Sequence, residues 1–193
     1  MLPLTMTEDD FAEAALRNAV NAAIMGVLRA SALPDAWIVA GCLTQTVWNV
    51  RTGRPVDHGI NDYDIFYFDP DTSWDAEDAV IRHIASRLDG IDAKVEVRNQ
   101  ARVHLWYPAK HGRPYPALTR STDGIDRFLT VNTQVGIRPA GDRHQVYAAH
   151  GFDDIEQMIV RPNYAANFSA ENYRTKTTRW KRQWPEITVI DPE

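Results

Sequence analysis

Apolar positions recur at helical spacing near the start of the chain and at strand spacing further on. Phe11, Ala15, Ala19, Ala22 and Val27 predict one amphipathic helix over residues 7–28, with Thr7 as its cap. Glu8, Asp9 and Asp10 suit its positive first turn. The run Trp37-Ile38-Val39-Ala40 predicts a buried strand leading into Gly41, and residues 43–50 read as a second helix stopped by Gly53 and Pro55. Residues 64–68 are aromatic and β-branched and predict the clearest strand, closed by Asp69-Pro70. A helix is expected over 75–88 and a half-buried strand over 94–98, with a further strand over 103–107.

The second half is more broken. A loop is expected over 108–116, a short helix over 122–128, and a hairpin from 134–138 to 145–148 across Pro139-Ala140-Gly141-Asp142. Another short helix is expected over 152–159, and a partly helical, basic tail over 163–181. Strands separated by helices of these lengths predict an α+β fold, a mixed β-sheet with packed helices. The 193 residues fit a single domain, with 108–193 as an integrated C-terminal extension.

Composition narrows the function classes. Hydrophobic residues make up 44% of the chain, enough for a core without crosslinks, and Cys42 is its only cysteine. A disulfide within the chain and a cysteine-rich zinc site are therefore excluded. The start shows no export leader and no apolar run approaches a membrane span, so a cytoplasmic protein with no membrane partner is expected. The net charge of −5 argues against coating long double-stranded DNA.

The strongest chemical signal is Asp62-Tyr63-Asp64. Alternate residues of a strand share a face, so the two carboxylates stand together and repel unless a cation lies between them. A divalent metal gripping phosphate oxygens answers that repulsion. Glu96, opposed in its strand to Val95 and Val97, adds a third carboxylate if its strand neighbours that of Asp64. Taken singly, Asp62 also suits a chain turn and Glu96 a solvent-facing strand position. Cys42 reads as a buried structural thiol, and the histidines show no ligand spacing. The basic, aromatic tail with Lys176, Arg179 and Trp180 could receive RNA, or be a solvated helix packed by its tryptophans.

Two stretches carry a family resemblance: Val39 to Trp48 with its Gly41, and Asn61-Asp62-Tyr63-Asp64-Ile65. Together they resemble the signature of the polymerase-beta-like nucleotidyltransferases, especially the tRNA CCA-adding and poly(A) polymerase branch. Further pieces, among them Val95 to His104 and Arg161-Pro162-Asn163, resemble a family of small bacterial nucleotidyltransferase-like proteins of undefined substrate. The resemblance implies that fold, an NTP as partner, and Mg²⁺ held by Asp62, Asp64 and Glu96, which would also be the catalytic residues. It implies nucleotide binding by Gly41, Cys42, Thr44, Gln45, Asn99 and Arg102. The sequence departs from the pattern at Thr44 and Gln45, where an arginine is usual, and at Cys42, where glycine or serine is common. The expected function is transfer of a nucleoside monophosphate from an NTP to an acceptor hydroxyl on a small molecule, RNA or protein. The alternative is a catalytically weak or inactive nucleotide- or RNA-binding protein.

Overall fold

A computed structural model describes residues 6–165 and 167–193; the first five residues, part of the stretch read for a leader, lie outside it. Two helices, α1 (Glu8–Leu16) and α2 (Ala19–Ala30), replace the single helix expected over 7–28. Thr7 caps the first in a reciprocal pair with Asp10. The break is made by Asn18, whose Oδ1 accepts from the N–H groups of Val20 and Asn21 and so starts α2 afresh. Its amide also donates to Tyr63 Oη at 3.1 Å, tying this corner to the sheet.

The sheet is laid down by β1 (Trp37–Val39), β2 (Tyr63–Tyr67), β3 (Val95–Asn99), β4 (Val135–Ala140) and β5 (Arg143–Ala148), in the order β3-β2-β1-β4-β5. Within this sheet only the β2–β3 pair is parallel. Between these strands run α3 (Gly41–Thr52), α4 (Trp74–Arg87), α5 (Val103–His111) and α6 (Ser121–Ile125). The remaining elements are α7 (Asp153–Glu156), β6 (Ile159–Val160), α8 (Ala170–Gln183) and β7 (Thr188–Val189), with β6 and β7 forming a small parallel pair. The architecture is thus the expected α+β arrangement with a mixed sheet.

Residues 103–107, expected as a strand, open α5 instead. Their aromatic and β-branched content favours a strand, but Gly112 in the left-handed conformation closes a helix that holds Pro108 in its second turn. The same helix takes up part of the loop expected over 108–116.

The two faces of the sheet differ. Ile38, Ile65, Val97 and Ile137 form one row across four strands and are buried in the main core. On the opposite face the registered row runs Glu96, Asp64, Val39, Gly136, Tyr147. Gly136 leaves room here for its neighbours: a Cβ would stand 2.9 Å from the Ile125 Cδ1 of α6 and 3.2 Å from Trp37, so Ile125 would have to shift. Helix α8 buries Tyr173, Thr177 and Trp180, one stripe at helical spacing. Trp180 and Trp184 meet Trp48 of α3 edge to face, each at 5.6 Å between ring centroids. Among the described residues, no helix is long and apolar enough to cross a membrane.

Candidate functional site

The site begins where β1 turns into α3. Ala40, between them, has φ 67° and ψ −136°, a conformation that favours glycine and costs an L-residue about 1–3 kcal/mol. Its N–H donates to Val135 O, which holds the bend. Gly41 is the first residue of α3, so the N–H groups of Gly41 and Cys42 stand in the helix turn that has no intrahelical acceptors. This puts the positive end of α3 directly after Val39, the residue registered with Asp64.

Parallel pairing sets Asp64 beside Glu96, as expected if their strands were neighbours. Asp62 stands just before β2, close enough to raise the pKa of Asp64. Burial, then Asp62 and then Glu96 push the Asp64 carboxyl up to about 7, while Lys176 and Arg98 oppose the rise. Glu96 is held below its usual value, chiefly by Lys94, which also comes within 3.9 Å of Asp62. Arg98 contacts its other oxygen at 3.3 Å. Three acids therefore face three cations, two from β3 and its approach and one from α8.

Lys176 is the participant that sequence reasoning left in the basic tail. It is half-buried, lies 4.8 Å from the Trp180 ring, and has its pKa lowered by burial against the pull of Asp64. Its helical offset from the buried Tyr173, Thr177 and Trp180 was the available signal, since it marks a flank rather than the outer face of α8.

Other expected site residues are placed elsewhere. Thr44 is fully buried and donates to Asn132 O at 2.7 Å, so its hydroxyl faces the interior. Gln45 packs its amide one turn below Gly41, where a Cβ on the glycine would stand 3.2 Å from Gln45 Nε2. The Cys42 thiol is buried, donates to Val39 O, and is pushed up in pKa by burial and by Asp64. Of Cys42, only the backbone is offered to a ligand.

Asn99, the last residue of β3, and Arg102 just beyond it lie at the far end of that strand, away from the acids. Asn99 Oδ1 accepts from the N–H groups of Asp69 and Ala101, and its amide donates to Asp69 O and Asp71 O. Arg102 pairs with the buried Glu77 and donates to Thr72 O at 2.8 Å. Glu77 in turn accepts from the Asn99 N–H. These groups brace the loop between β2 and α4; the structure does not bring them to Asp62, Asp64 and Gly41.

The acids suit a hard cation under one condition. Among the described residues, no three acid, histidine or cysteine side chains are grouped to enclose a metal. Magnesium is commonly held by one or two carboxylates, with phosphate oxygens and water completing the shell. Asp62 and Asp64 match that donor set, and the pKa of Asp64, raised first by burial and then by its carboxylate neighbours, marks a charge that a cation would stabilise.

A family model described as Nucleotidyltransferase matches residues 26–189, which span α3, all three acids and the whole of α8. The chain belongs to that nucleotidyltransferase family. A solved NMR structure, described as revealing a CCA-adding enzyme head domain, aligns over 100% of both chains with a TM-score of 0.77. At 22% identity that likeness establishes the nucleotidyltransferase fold. No curated protein matches the chain. Family and fold thus agree with an NTP-using transferase whose acceptor is left open.

Proposed function

We propose that the chain is a Mg²⁺-dependent nucleotidyltransferase that moves a nucleoside monophosphate from an NTP to an acceptor hydroxyl. The observation that carries the reading is Asp64, half-buried on β2 beside two further carboxylates and facing the start of α3, with its carboxyl raised to about 7. Asp62 and Asp64 would hold the metal, with Glu96 beside them in register; bound there, Mg²⁺ supplies Lewis acidity toward the phosphates.

The protein's own groups account for the rest. The N–H groups of Gly41 and Cys42 receive the terminal phosphates at the positive end of α3. Lys176 and Arg98 offset charge that develops as the acceptor oxygen bonds to the α-phosphorus and the bond to pyrophosphate breaks. Glu96, kept ionised by Lys94 and Arg98, takes the acceptor's hydroxyl proton on a carboxylate oxygen. Lys176 supplies from α8 the cation that α3 lacks at Thr44 and Gln45.

The test is incubation with each α-labelled NTP, Mg²⁺ and fractionated small-molecule, RNA and protein acceptors. Label should enter one acceptor class and be lost in Asp62→Ala/Asp64→Ala. Turnover that survives both substitutions would sink the mechanism. Tight Mg²⁺-dependent NTP binding without product in any fraction would instead favour a nucleotide-binding protein, the reading that the buried Thr44 hydroxyl supports.

A further inference from the structure

Beside the acid row, on the same face of the sheet, opens a cleft of about 260 Å³. Its floor is Phe66 and Arg98, registered partners two residues beyond Asp64 and Glu96. Strand geometry sets them roughly 7 Å further along the sheet. The walls come from α5, the loop after it, the segment following α6, and α8. These elements are far apart in the chain, and only the fold gathers them around one space.

Three properties define a ligand. The first is aromatic surface: Phe66 stacks on Phe128 at 5.2 Å, and Tyr107 lies 4.6 Å from Tyr115. The second is unspent hydrogen bonding. Gln100 is 1% exposed, yet among the described residues its Oε1 has no partner, and neither does the buried Nε of Arg127. Buried polar groups are rarely left this way, because each costs about 1–3 kcal/mol unless something pairs with it. The third is charge: Arg98 and Lys176 line the cleft and also act on Asp64, so cations join the aromatic walls to the acids.

We propose that the cleft receives the nucleobase of the incoming NTP, with Gln100 and Arg127 selecting the base. This rests on the nucleotidyltransferase reading and adds to it the residues that determine nucleotide choice. A base presents a flat ring for Tyr115 and, once the enclosed Gln100 amide turns from Gly124 and Arg127 turns with it toward the cleft, an N–H for Gln100 Oε1 and a ring nitrogen or carbonyl for Arg127 Nε. An aliphatic ligand or a phenyl ring leaves both polar groups unpaired. The volume suits one base with its sugar rather than a run of nucleotides. The sugar–phosphate end then passes Arg98 and Lys176 to reach the acids.

Calorimetric titration of the full chain in Mg²⁺ tests this, comparing the four NTPs with inorganic tripolyphosphate. At least one NTP should bind about tenfold to a hundredfold tighter than tripolyphosphate, in the range that stacking of one base provides. Tyr115→Ala and Gln100→Leu should each erase most of that advantage and leave tripolyphosphate affinity unchanged. NTPs no tighter than tripolyphosphate, or an advantage that survives both substitutions, overturns the proposal. Asp62→Ala/Asp64→Ala reads the other half: tripolyphosphate binding untouched by it overturns the assignment of the acids while leaving the base-dependent increment to be scored separately. An intact protein that binds neither compound overturns both.

Discussion

The two ends of β3 carry polar clusters that look alike in the sequence and differ in the folded protein. At its far end, Asn99, Glu77 and Arg102 satisfy one another and the backbone of the loop between β2 and α4. At its near end, Asp62, Asp64 and Glu96 crowd together, and Asp64 is pushed toward neutrality. A satisfied cluster holds the frame in place, whereas a frustrated one is held in place by the frame and awaits a ligand. The strain at Ala40 belongs to the second end, where the fold forces α3 to begin against the acids.

The sharpest way to break this contrast is to substitute each end and read both activity and stability. Asp64→Asn should lower nucleotidyl transfer by about 1,000-fold or more, equivalent to about 4 kcal/mol of transition-state stabilisation. Urea unfolding at pH 8 should show stability unchanged or raised, because a half-buried charge facing two like charges has been removed. Marked destabilisation by this substitution would place Asp64 in the frame instead.

Arg102→Ala should do the reverse. It leaves the carboxylate of Glu77, 3% exposed, without its partner, and breaking such a buried pair costs about 3–5 kcal/mol. Urea unfolding should record that loss, while metal-dependent binding of tripolyphosphate by the folded fraction persists. A variant of full stability that has lost phosphate binding would move Arg102 to the site.

The pH response separates the ends next. A cation at Asp64 competes with a proton on a group whose pKa is raised from 3.8 to about 7. Mg²⁺ affinity should therefore fall by up to about tenfold per pH unit below 7 and level off above it. The metal-free protein has the opposite slope. Between pH 4 and 7 the native state keeps a proton that the unfolded chain has released, so stability falls as pH rises through this window. Asp64→Asn should remove both dependences; an unchanged Mg²⁺ profile from pH 5.5 to 7.5 would assign the raised pKa no part in binding.

Much of the site end was legible in the sequence, because its signals are local. The Asp62–Asp64 alternation, the apolar strand before Gly41 and the alternation around Glu96 each lie within one element. What escaped was long-range or masked by a stronger local pattern. Asn18 interrupts an apolar period that runs straight through it, so the cap that separates α1 from α2 read as one more helical position. The 103–107 segment has the side chains of a strand, and only packing and the Gly112 cap make it helical. Asn99 and Arg102 carried a functional resemblance, but their partners Asp69, Asp71 and Glu77 sit more than 20 residues earlier, beyond the reach of spacing arguments. Lys176 lies far along the chain from Asp64, and only the docking of α8 through Trp180 and Trp184 brings it in.

The smallest expected effect concerns how the near end remains folded before a metal arrives. Lys94 pairs with Glu96 and lies within 3.9 Å of Asp62, yet its side chain is 63% exposed. It therefore acts as a removable counter-ion, since exposed pairs contribute only about 0–1 kcal/mol. On the proposed reading, an entering Mg²⁺ would have to displace this charge from Asp62 and Glu96. Lys94→Ala should accordingly tighten Mg²⁺ binding by roughly twofold to fivefold, the size of one screened charge contact, and the gain should shrink as salt is raised. Arg98 should behave differently, because it also donates to Val97 O and forms the floor of the cleft. Arg98→Ala should weaken NTP binding where Lys94→Ala strengthens metal binding. Equal and opposite results for these neighbours would show that the cations on β3 divide between a placeholder for the metal and a ligand contact; weaker Mg²⁺ binding in Lys94→Ala would instead make Lys94 part of the site's structure.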